Sequence, residues 1–366
     1  MLVYIGTYTR AGSDGIYAFR FDDRTGALRP IGLAAKTSNP SFLVVHPNGR
    51  WLYAANEDET YEGQKSGAVS AFAIDRATGR LTLLNQQSSH GAAPCHLALD
   101  RTGRYLLVAN YTGGNVAVLP IEFDGRLGKS SAVAQHTGSS VDHERQEGPH
   151  AHAVLMDETN RFALAADLGA DKVFVRRFDA DRGILTGDAR QGDAADRAEP
   201  STVSLPPGSG PRHLAFAPSY KRLYVINELS STISAFGWNA ANGMLTAEQR
   251  VSTLPAGVSA SNTTAEITLH PSGRFLYGSN RGHDSIAVFR VDPGTGALTF
   301  VEHEPAGGRT PRNFAIAPGG HWLIAANQDS NSVVTFRIDQ QTGALERAGN
   351  AATVPLPVCV TFVLDQ

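Results

Sequence analysis

The chain has 366 residues, of which 42% are hydrophobic and 18% are charged, and its formal net charge is −3. It contains no apolar run near the roughly 18 residues that indicate a transmembrane helix, so we expect no membrane association. Its lysines and arginines are scattered and form no basic stripe along which a phosphate backbone could run, which argues against a nucleic-acid partner.

A short aromatic strand that ends in Thr, Asn or Asp recurs along the whole chain. The seven copies are LVYIGT (2–7), WLYAAN (51–56), YLLVAN (105–110), FALAAD (162–167), LYVIN (223–227), FLYGSN (275–280) and WLIAAN (322–327). From Asn56 onward, their last residues are 54, 57, 60, 53 and 47 positions apart. Each copy is followed by a second strand and then by a turn related to D-x-x-T-G-x-L, as at 75–81 and 292–298.

Six of the seven copies are also preceded by an apolar strand that ends in a turn such as HPNGR (46–50). The first copy lacks this strand, and an apolar segment, PVCVTFVL (357–364), is left over at the other end of the chain. A period near 50 residues with four short strands is typical of a β-propeller. We therefore predict an all-β, seven-bladed β-propeller with four-stranded antiparallel blades, a single domain over residues 1–366. The C-terminal strand should join the N-terminal blade and close the ring.

The two cysteines, Cys95 and Cys359, fall in blades that are not adjacent. A disulfide would need Cα atoms closer than the ring allows, so we expect packed thiols in a reducing compartment. No signal sequence precedes the first strand, which predicts a cytoplasmic protein. We expect a monomer or a weak dimer.

One face of the ring collects the starts of the inner strands and the ends of the second strands. The Asn or Asp that ends the second strand recurs in six copies, so we interpret it as a turn cap. The neighbouring positions change from blade to blade. After the second strand they are Glu57, Tyr111, Leu168, Glu228, Arg281 and Gln328, and at the start of the inner strand they are Ser41, Cys95, His152, Arg212, Ala265 and Arg312. Polar residues that differ between blades at a channel mouth indicate a ligand or ordered water.

The densest group comes from the motifs GPHAH, PRH, NEL and NRGHD, which supply His150, His152, Arg212, His213, Glu228, Arg281 and His283. A base that works near neutral pH and fixed positive donors for an oxyanion are what hydrolysis of an ester or lactone by water requires. Guanidinium groups also suit a phosphate or carboxylate on the substrate. A single histidine at a strand start is more often structural, but the grouping favours a site.

Other chemistries fit these residues less well. No C-x-x-C, H-E-x-x-H or Asp-rich loop completes a metal site around His150 and His152, no G-x-S-x-G marks a serine nucleophile, and no phosphate-cradling loop is present. Cys95 occupies a position that is Ser41 or Ala265 in other blades, which favours packing over nucleophilic catalysis. We expect neither a metal nor another cofactor.

Several long strings carry a family resemblance. They are YIGTYT (4–9), EGPHAH (147–152), DLGADKV (167–173), GPRHLAF (210–216), YVINELSSTISAF (224–236) and AEITLHPSGRFLYGSNRGHDSIAVF (265–289). The chain closely resembles, over essentially its whole length, the seven-bladed propeller lactonases, which are the 6-phosphogluconolactonase-like proteins related to fungal carboxy-muconate cyclase. The resemblance implies a metal-independent hydrolase of a sugar lactone, nominally 6-phosphogluconolactone, which yields 6-phosphogluconate in the pentose phosphate route. By motif, the cyclase-like His, Arg, Glu and Arg fall on His150 or His152, Arg212, Glu228 and Arg281.

We accordingly predict a catalytic set of Glu228, His150, His152, Arg212 and Arg281. Glu228 or a histidine at 150 or 152 would deprotonate the attacking water, with Glu228 assisted by His150 as the preferred assignment. Arg212 and Arg281 would hold the lactone carbonyl oxygen and an anionic group. Substrate-binding side chains are expected at Tyr8, Glu57, His96, His213, Glu266, His283, Arg312 and Gln328.

Two alternatives remain open from the sequence. A carboxymuconate-type cycloisomerase or another lactonase would use the same arginines for carboxylates, and a non-catalytic binding propeller would use the ring as a scaffold. The longer loop at 58–67 is expected to overhang the channel mouth as a partial lid. The polar stretch at 187–200 is expected to form a mobile outer turn.

Overall fold

The computed structural model describes residues 1–186, 201–258 and 261–364. They form seven antiparallel sheets that follow one another around a central channel. The predicted outer turn at 187–200 lies outside the described residues. Among the residues described, no helix has the length and hydropathy needed to cross a membrane.

The blades take their strands in chain order. The first contains β1 (Leu2–Thr7), β2 (Gly15–Asp22) and β3 (Ala27–Lys36); the second contains β4 (Pro40–Val45), β5 (Trp51–Asn56), β6 (Ala68–Ile74) and β7 (Leu81–Ser88). The third contains β8 (Pro94–Leu99), β9 (Tyr105–Asn110), β10 (Asn115–Pro120) and β11 (Ala132–Gln135). The fourth contains β12 (Ala151–Met156), β13 (Phe162–Asp167) and β14 (Lys172–Asp179), with β15 (Ile184–Leu185) and β16 (Ser201–Ser204) both paired to β14.

The remaining blades follow the same order. The fifth contains β17 (Pro211–Phe216), β18 (Arg222–Asn227), β19 (Thr232–Asn239) and β20 (Met244–Ser252). The sixth contains β21 (Thr263–Leu269), β22 (Phe275–Arg281), β23 (Ser285–Val291) and β24 (Leu298–Pro305). The seventh contains β25 (Pro311–Ile316), β26 (Trp322–Asn327), a 3-10 turn at Gln328–Ser330, β27 (Ser332–Ile338) and β28 (Leu345–Thr353).

The last strand, β29 (Pro357–Val363), closes the ring. It pairs antiparallel with β1, with Val363 opposite Leu2 and Cys359 opposite Gly6. This pairing gives the first blade its fourth strand and confirms the predicted closure. The all-β, seven-bladed prediction is likewise confirmed.

The apolar core is divided into seven clusters, each between two neighbouring blades. The second strand of a blade is packed on both faces, and β1, β5, β13 and β26 are buried along their whole length. This explains why the repeating strand reads as a continuous apolar run, as buried strands do, rather than as an alternating one. The outer strands β3 and β20 are largely exposed.

The D-x-x-T-G turns join neighbouring blades as well as strands. In the turn at 75–79, the Asp75 carboxylate accepts hydrogen bonds from the backbone N–H of Ala77 and the Thr78 hydroxyl, and Gly79 has a φ of +76°. This conformation favours glycine. The Tyr4 hydroxyl of the preceding blade donates to the carbonyl of Gly79 at 3.1 Å. Equivalent bonds run from Tyr53 to Gly125, Tyr224 to Gly296 and Tyr277 to Gly343.

The recurring Asn at the end of the second strand is buried and structural, as predicted, but its main contact is with another segment. Its side-chain amide donates to a backbone carbonyl just beyond the outer strand of the preceding blade. The pairs are Asn56 with Ser38, Asn110 with Ser89, Asn280 with Thr253, and Asn327 with Ala306. These side chains therefore attach each blade to the connection that leads into it.

Candidate active site at the channel mouth

A register shift interrupts each inner strand where it begins at the channel. In the second blade, Pro40 pairs with Asn56 and Phe42 pairs with Ala55, which leaves Ser41 outside the ladder. The equivalent positions in the other blades are Val358, Cys95, His152, Arg212 and Arg312, and in the sixth blade the shift falls between Thr264 and Ile267. A β-bulge re-aims a side chain without ending the strand. These are the positions that differ most between blades in the sequence.

The channel mouth holds a cavity of about 300 Å³. Most of its lining is polar or charged: Glu57, Cys95, Tyr111, Arg145, His152, Glu228, Thr263, Arg281 and Arg312. The predicted residues Glu57, His152, Glu228, Arg281 and Arg312 are thus brought together. Arg212 lies against the same group through its bond to Glu228.

The carboxylate of Glu228 is surrounded by three guanidinium groups. Arg145 Nη2 lies 2.7 Å from Oε1, while Arg212 Nε and Arg281 Nη2 lie 2.9 Å and 2.8 Å from Oε2. Burial alone would raise the pKa of Glu228, but the positive charges of Arg281, Arg212 and Arg145 lower it to about 2. Glu228 is therefore a carboxylate at neutral pH and a weak proton acceptor.

Arg145 is a site residue that the sequence did not reveal. It lies between β11 and β12 in the connection of residues 136–150, where its guanidinium also donates to the hydroxyl of Tyr111 at 3.2 Å. A buried pair secures this connection, because His136 Nδ1 lies 2.7 Å from Asp167 Oδ2. The sequence did contain one indication of a special role for this connection, because it is longer than the other connections that lead into an inner strand.

The two histidines of GPHAH take different positions around Tyr111. His150 stacks on the Tyr111 ring at 4.5 Å, and its ring nitrogens contact the Tyr111 carbonyl at 3.0 Å and Glu147 at 3.1 Å. His152 meets the Tyr111 ring edge-on at 5.5 Å and lines the cavity. His150 is not part of the lining, so the structure favours His152 as the histidine that faces a substrate.

His152 is a neutral imidazole. Burial, together with the nearby positive charge of Arg212, lowers its pKa well below the ordinary value. Its Nε2 lies 4.0 Å from Glu228 Oε2, which is beyond a direct hydrogen bond. On the other side of the ring, Nδ1 lies 3.7 Å from the Cys95 sulfur.

A second layer of side chains lies beneath the cavity and includes His96, His213 and Glu266. The rings of His96 and His213 are 5.1 Å apart, and His213 Nδ1 lies 3.1 Å from Glu266 Oε1. Arg212 Nη1 lies 3.1 Å from His213 Nε2. Because a guanidinium can only donate, His213 Nε2 accepts and Nδ1–H donates to Glu266. Thus Glu266, His213, Arg212 and Glu228 form one hydrogen-bonded chain that leads up to the cavity.

Glu266 is the acidic end of this chain. Its carboxyl group also accepts hydrogen bonds from the Ile267 N–H at 3.0 Å and from the Asn313 amide. Burial raises its pKa to about 7, despite the opposing influence of Arg212 and these donors. His96, His213 and Glu266 do not line the cavity, and His213 and Glu266 connect to it through Arg212.

Tyr8, Glu57 and Arg312 form a separate group on the first, second and seventh blades. The Tyr8 hydroxyl donates to the Glu57 carboxylate, with distances of 3.0 Å and 3.1 Å to its two oxygens. The Arg312 guanidinium lies over the Tyr8 ring, 5.3 Å from its centroid. The predicted placement of these three at one mouth of the channel agrees with the structure.

Two predicted binding residues and the predicted lid lie elsewhere. His283 bonds to Ser285 Oγ at 2.7 Å and faces His303 of the outer strand β24, while Gln328 bonds to Asp329 in the 3-10 turn. Neither lines the cavity, because the turns after β22 and β26 direct these side chains along the rim. The loop at 58–67, all of which the structure describes, adds no residue to the lining either; its Glu59 side chain contacts Thr112 instead.

Both cysteines are free and buried, as predicted. Burial raises the pKa of the Cys95 thiol, so it remains protonated at neutral pH. Cys95 contacts His152 through its sulfur, and this contact is the role that the structure gives it.

The chain shares its length and its fold with known proteins. The family model described as "Lactonase, 7-bladed beta-propeller" matches residues 2–362. A 6-phosphogluconolactonase of Bacillus subtilis is 39% identical over 360 residues, which cover 98% of this chain and 97% of the relative. A 6-phosphogluconolactonase of Formosa agariphila is 34% identical over 317 residues, which cover 86% of each.

Among solved structures, the periplasmic gluconolactonase PpgL of Pseudomonas aeruginosa matches with a TM-score of 0.89 and 35% sequence identity. The match covers all of this chain and 99% of that protein. The fold, the channel-mouth cavity and the sequence relationships therefore agree, and the chain belongs to the lactonase family of seven-bladed β-propellers.

Proposed function

We propose that this protein hydrolyses 6-phosphogluconolactone to 6-phosphogluconate by direct attack of water. The observation that carries the proposal is the cluster in which three guanidinium groups converge on Glu228 beside a neutral histidine in an open polar cavity. The names of the relatives from Bacillus subtilis and Formosa agariphila supply the substrate. The surplus of arginine over carboxylate in the cavity suits an anionic ligand.

We assign proton abstraction to His152. Transfer of a proton from water to a carboxylate with a pKa of about 2 is strongly uphill, and three guanidinium groups already contact the Glu228 oxygens. Burial lowers the pKa of His152 as well, but its imidazole is neutral and can accept a proton. His152 Nε2 makes no direct hydrogen bond to Glu228, so it is free to accept a proton from the attacking water. Once protonated, the imidazolium is stabilised by the Glu228 carboxylate 4.0 Å away.

The arginines complete the reaction. Water adds to the lactone carbonyl carbon while His152 takes its proton, and the carbonyl electron pair becomes an oxyanion held by Arg281. The intermediate then collapses by breaking the bond between the former carbonyl carbon and the ring oxygen, which takes the proton back from His152. Glu228 keeps Arg145, Arg212 and Arg281 in fixed positions, so the donors need no rearrangement as charge develops.

The test compares hydrolysis of 6-phosphogluconolactone with the spontaneous rate for the wild type and for His152→Gln, Glu228→Gln and Arg281→Ala. We expect each substitution to lower kcat by about 100-fold or more, because each removes a base or a fixed donor. His143→Gln is the control, since His143 is exposed on the connection that carries Arg145. Undiminished rates in both Glu228→Gln and Arg281→Ala would exclude this site. A normal rate in His152→Gln alone would return the role of base to Glu228.

Substrate panels separate this function from its alternatives. Turnover of a muconolactone-type substrate in preference to both 6-phosphogluconolactone and unphosphorylated gluconolactone would favour the carboxymuconate-type cycloisomerase or another lactonase. Failure to turn over any of these lactones would favour a binding propeller.

We also propose that the protein acts in the cytoplasm, as a monomer or a weak dimer. Two free buried thiols suit a reducing compartment. Because the Pseudomonas relative is named as periplasmic, cell fractionation is the direct measurement. Recovery of the protein in the periplasmic fraction would contradict the proposed location.

A further inference from the structure

Arg312 differs from the other arginines of the cavity in its hydrogen bonding. Arg145 donates to Glu228 and Tyr111, Arg212 donates to Glu228 and the Ala265 carbonyl, and Arg281 donates to the Thr264 carbonyl in addition to its pair with Glu228. Within the described part of the chain, the Arg312 guanidinium has no hydrogen-bond acceptor, and its contact is with the face of the Tyr8 ring. It is therefore the arginine of the cavity whose whole donor fork is available to a ligand.

The position of Arg312 is fixed although its donors are free. Its side chain is mostly shielded from solvent, and the Tyr8 ring supports the guanidinium on one face by a cation–π contact. Tyr8 is in turn held by Glu57, whose two carboxylate oxygens both accept from the Tyr8 hydroxyl. A guanidinium fixed in this way loses little conformational freedom when it binds an anion.

Arg312 also comes from a different part of the ring than the proposed reacting group. Glu228, Arg281, His152 and Arg145 belong to the third to sixth blades and the connections between them, whereas Arg312, Tyr8 and Glu57 belong to the seventh, first and second blades. The charged side chains of the cavity thus come from two different parts of the ring. In a 6-phosphorylated lactone, the phosphate and the carbonyl carbon are likewise at different ends of the molecule.

We propose that Arg312 binds the phosphate group of the substrate, with Tyr8 as its support, and so determines selectivity for a phosphorylated lactone. The two terminal N–H groups of a guanidinium match two phosphate oxygens in a bidentate pair. Glu57 stays bonded to Tyr8 and accepts from a sugar hydroxyl. This inference rests on the proposed function, because it concerns the substrate of the same site.

The experiment measures kcat/KM for 6-phosphogluconolactone and for unphosphorylated gluconolactone with Arg312→Gln and Arg312→Lys. We expect the ratio of the two values to fall by about 30-fold in Arg312→Gln, through a higher KM for the phosphorylated lactone. Arg312→Lys should keep part of the preference, because an ammonium supplies charge without the fork. Arg309→Gln is the matched control, since Arg309 is exposed nearby and donates to the Asp329 carbonyl.

Equal losses for both lactones, or no loss for either, would overturn the assignment of Arg312. If Arg312→Gln does not fold, as judged by thermal unfolding, the same comparison is made with Arg312→Lys. If the wild type turns over neither lactone, the proposed function fails, and calorimetric binding of 6-phosphogluconate and gluconate then decides the role of Arg312. Loss of the preference for 6-phosphogluconate in the variant supports the subsite, and an unchanged preference, or none in the wild type, rejects it.

Discussion

Glu266 is connected to Glu228 in the cavity through two intervening side chains, those of His213 and Arg212. It holds His213, which accepts from Arg212, which in turn pairs with Glu228. The geometry of this chain requires an ionised Glu266, because three donors from His213, Ile267 and Asn313 converge on its two oxygens. Protonation would place a further hydrogen among these donors and disturb Arg212. Glu266 is thus a positioning residue whose charge state matters.

This arrangement predicts a pH dependence. The pKa of Glu266 is raised to about 7, so the carboxylate forms, and the chain is completed, as pH rises through that value. Arg212, His213 and His96 face Glu266, and both histidines have pKa values well below the ordinary value, so they remain neutral over this range. We expect kcat/KM for lactone hydrolysis to rise about tenfold between pH 6 and 8, as one well-formed charged hydrogen bond would give.

Glu266→Gln should abolish this step. The amide of the glutamine would place a donor where the structure needs an acceptor. We therefore expect the variant to show, at every pH, the low kcat/KM that the wild type shows at acidic pH. Asn313→Asp is not a suitable control, because Asn313 donates to Glu266; His143→Gln again serves. A step near pH 7 that persists in Glu266→Gln would assign the titration to another group.

The candidate site was predictable where the repeat provided a comparison. Glu228, Arg212, Arg281, Arg312 and His152 occupy positions that every blade has, so their departure from the other blades was visible in the sequence. Arg145 was not predictable, because it lies in a connection with no counterpart in the other blades. The choice between His150 and His152 depended on the register shift at the start of β12. This shift could not be predicted from the alternation of side chains along a regular strand.

At the scale of the secondary-structure element, neighbouring blades are joined by hydrogen bonds between a strand of one blade and a turn of the next. Tyr4, Tyr53, Tyr224 and Tyr277 occupy the same position of the second strand and reach the glycine carbonyl of the next blade's outer turn. In the turns between the first and second strands, His46 and His270 likewise contact the carbonyls of Gly103 and Gly320 of the neighbouring blade. The tight turns were evident from their sequences, whereas these contacts between blades depend on how closely the sheets pack.

Tyr224→Phe tests one of these bonds. The hydroxyl of Tyr224 is buried and donates to Gly296 at 2.8 Å, so its loss leaves a carbonyl unsatisfied. We expect the free energy of unfolding in urea to fall by about 1 to 2 kcal/mol. In the control Tyr17→Phe, the hydroxyl has only a 3.5 Å contact with the Asp14 N–H, and little change is expected. If the two variants have the same free energy of unfolding, the hydrogen bond from Tyr224 makes no net contribution to stability.

At the scale of the whole molecule, stability depends on one closing pair of strands. The sequence predicted this closure because the first blade lacked a strand and the last segment had no blade. Val360 of β29 is buried among residues of the first and seventh blades, where the ring would otherwise be open. The chain passes from β28 of the seventh blade into β29, and the pairing of β29 with β1 then brings the two ends of the chain together within the first blade.

Val360→Asp should therefore weaken the whole ring. A carboxylate buried there without a partner costs several kcal/mol, so we expect a loss of about 3 kcal/mol or more in the free energy of unfolding, with a less cooperative transition. Leu364→Asp is the control, because Leu364 follows the same strand and is 56% exposed. A thermal melt measured for both variants checks this, and equal melting temperatures would contradict a special role for the closure.

The bulge that begins each inner strand separates the chemistry of the site from the stability of the fold. Since the extra residue stands outside the ladder, its side chain can change without disturbing a strand pair, and the seven blades already hold six different residue types there. Ala265 and Val358 are the two positions that carry apolar side chains. A propeller of this kind therefore offers a ring of positions around one opening, where side chains can differ from blade to blade while the strand pairing stays the same.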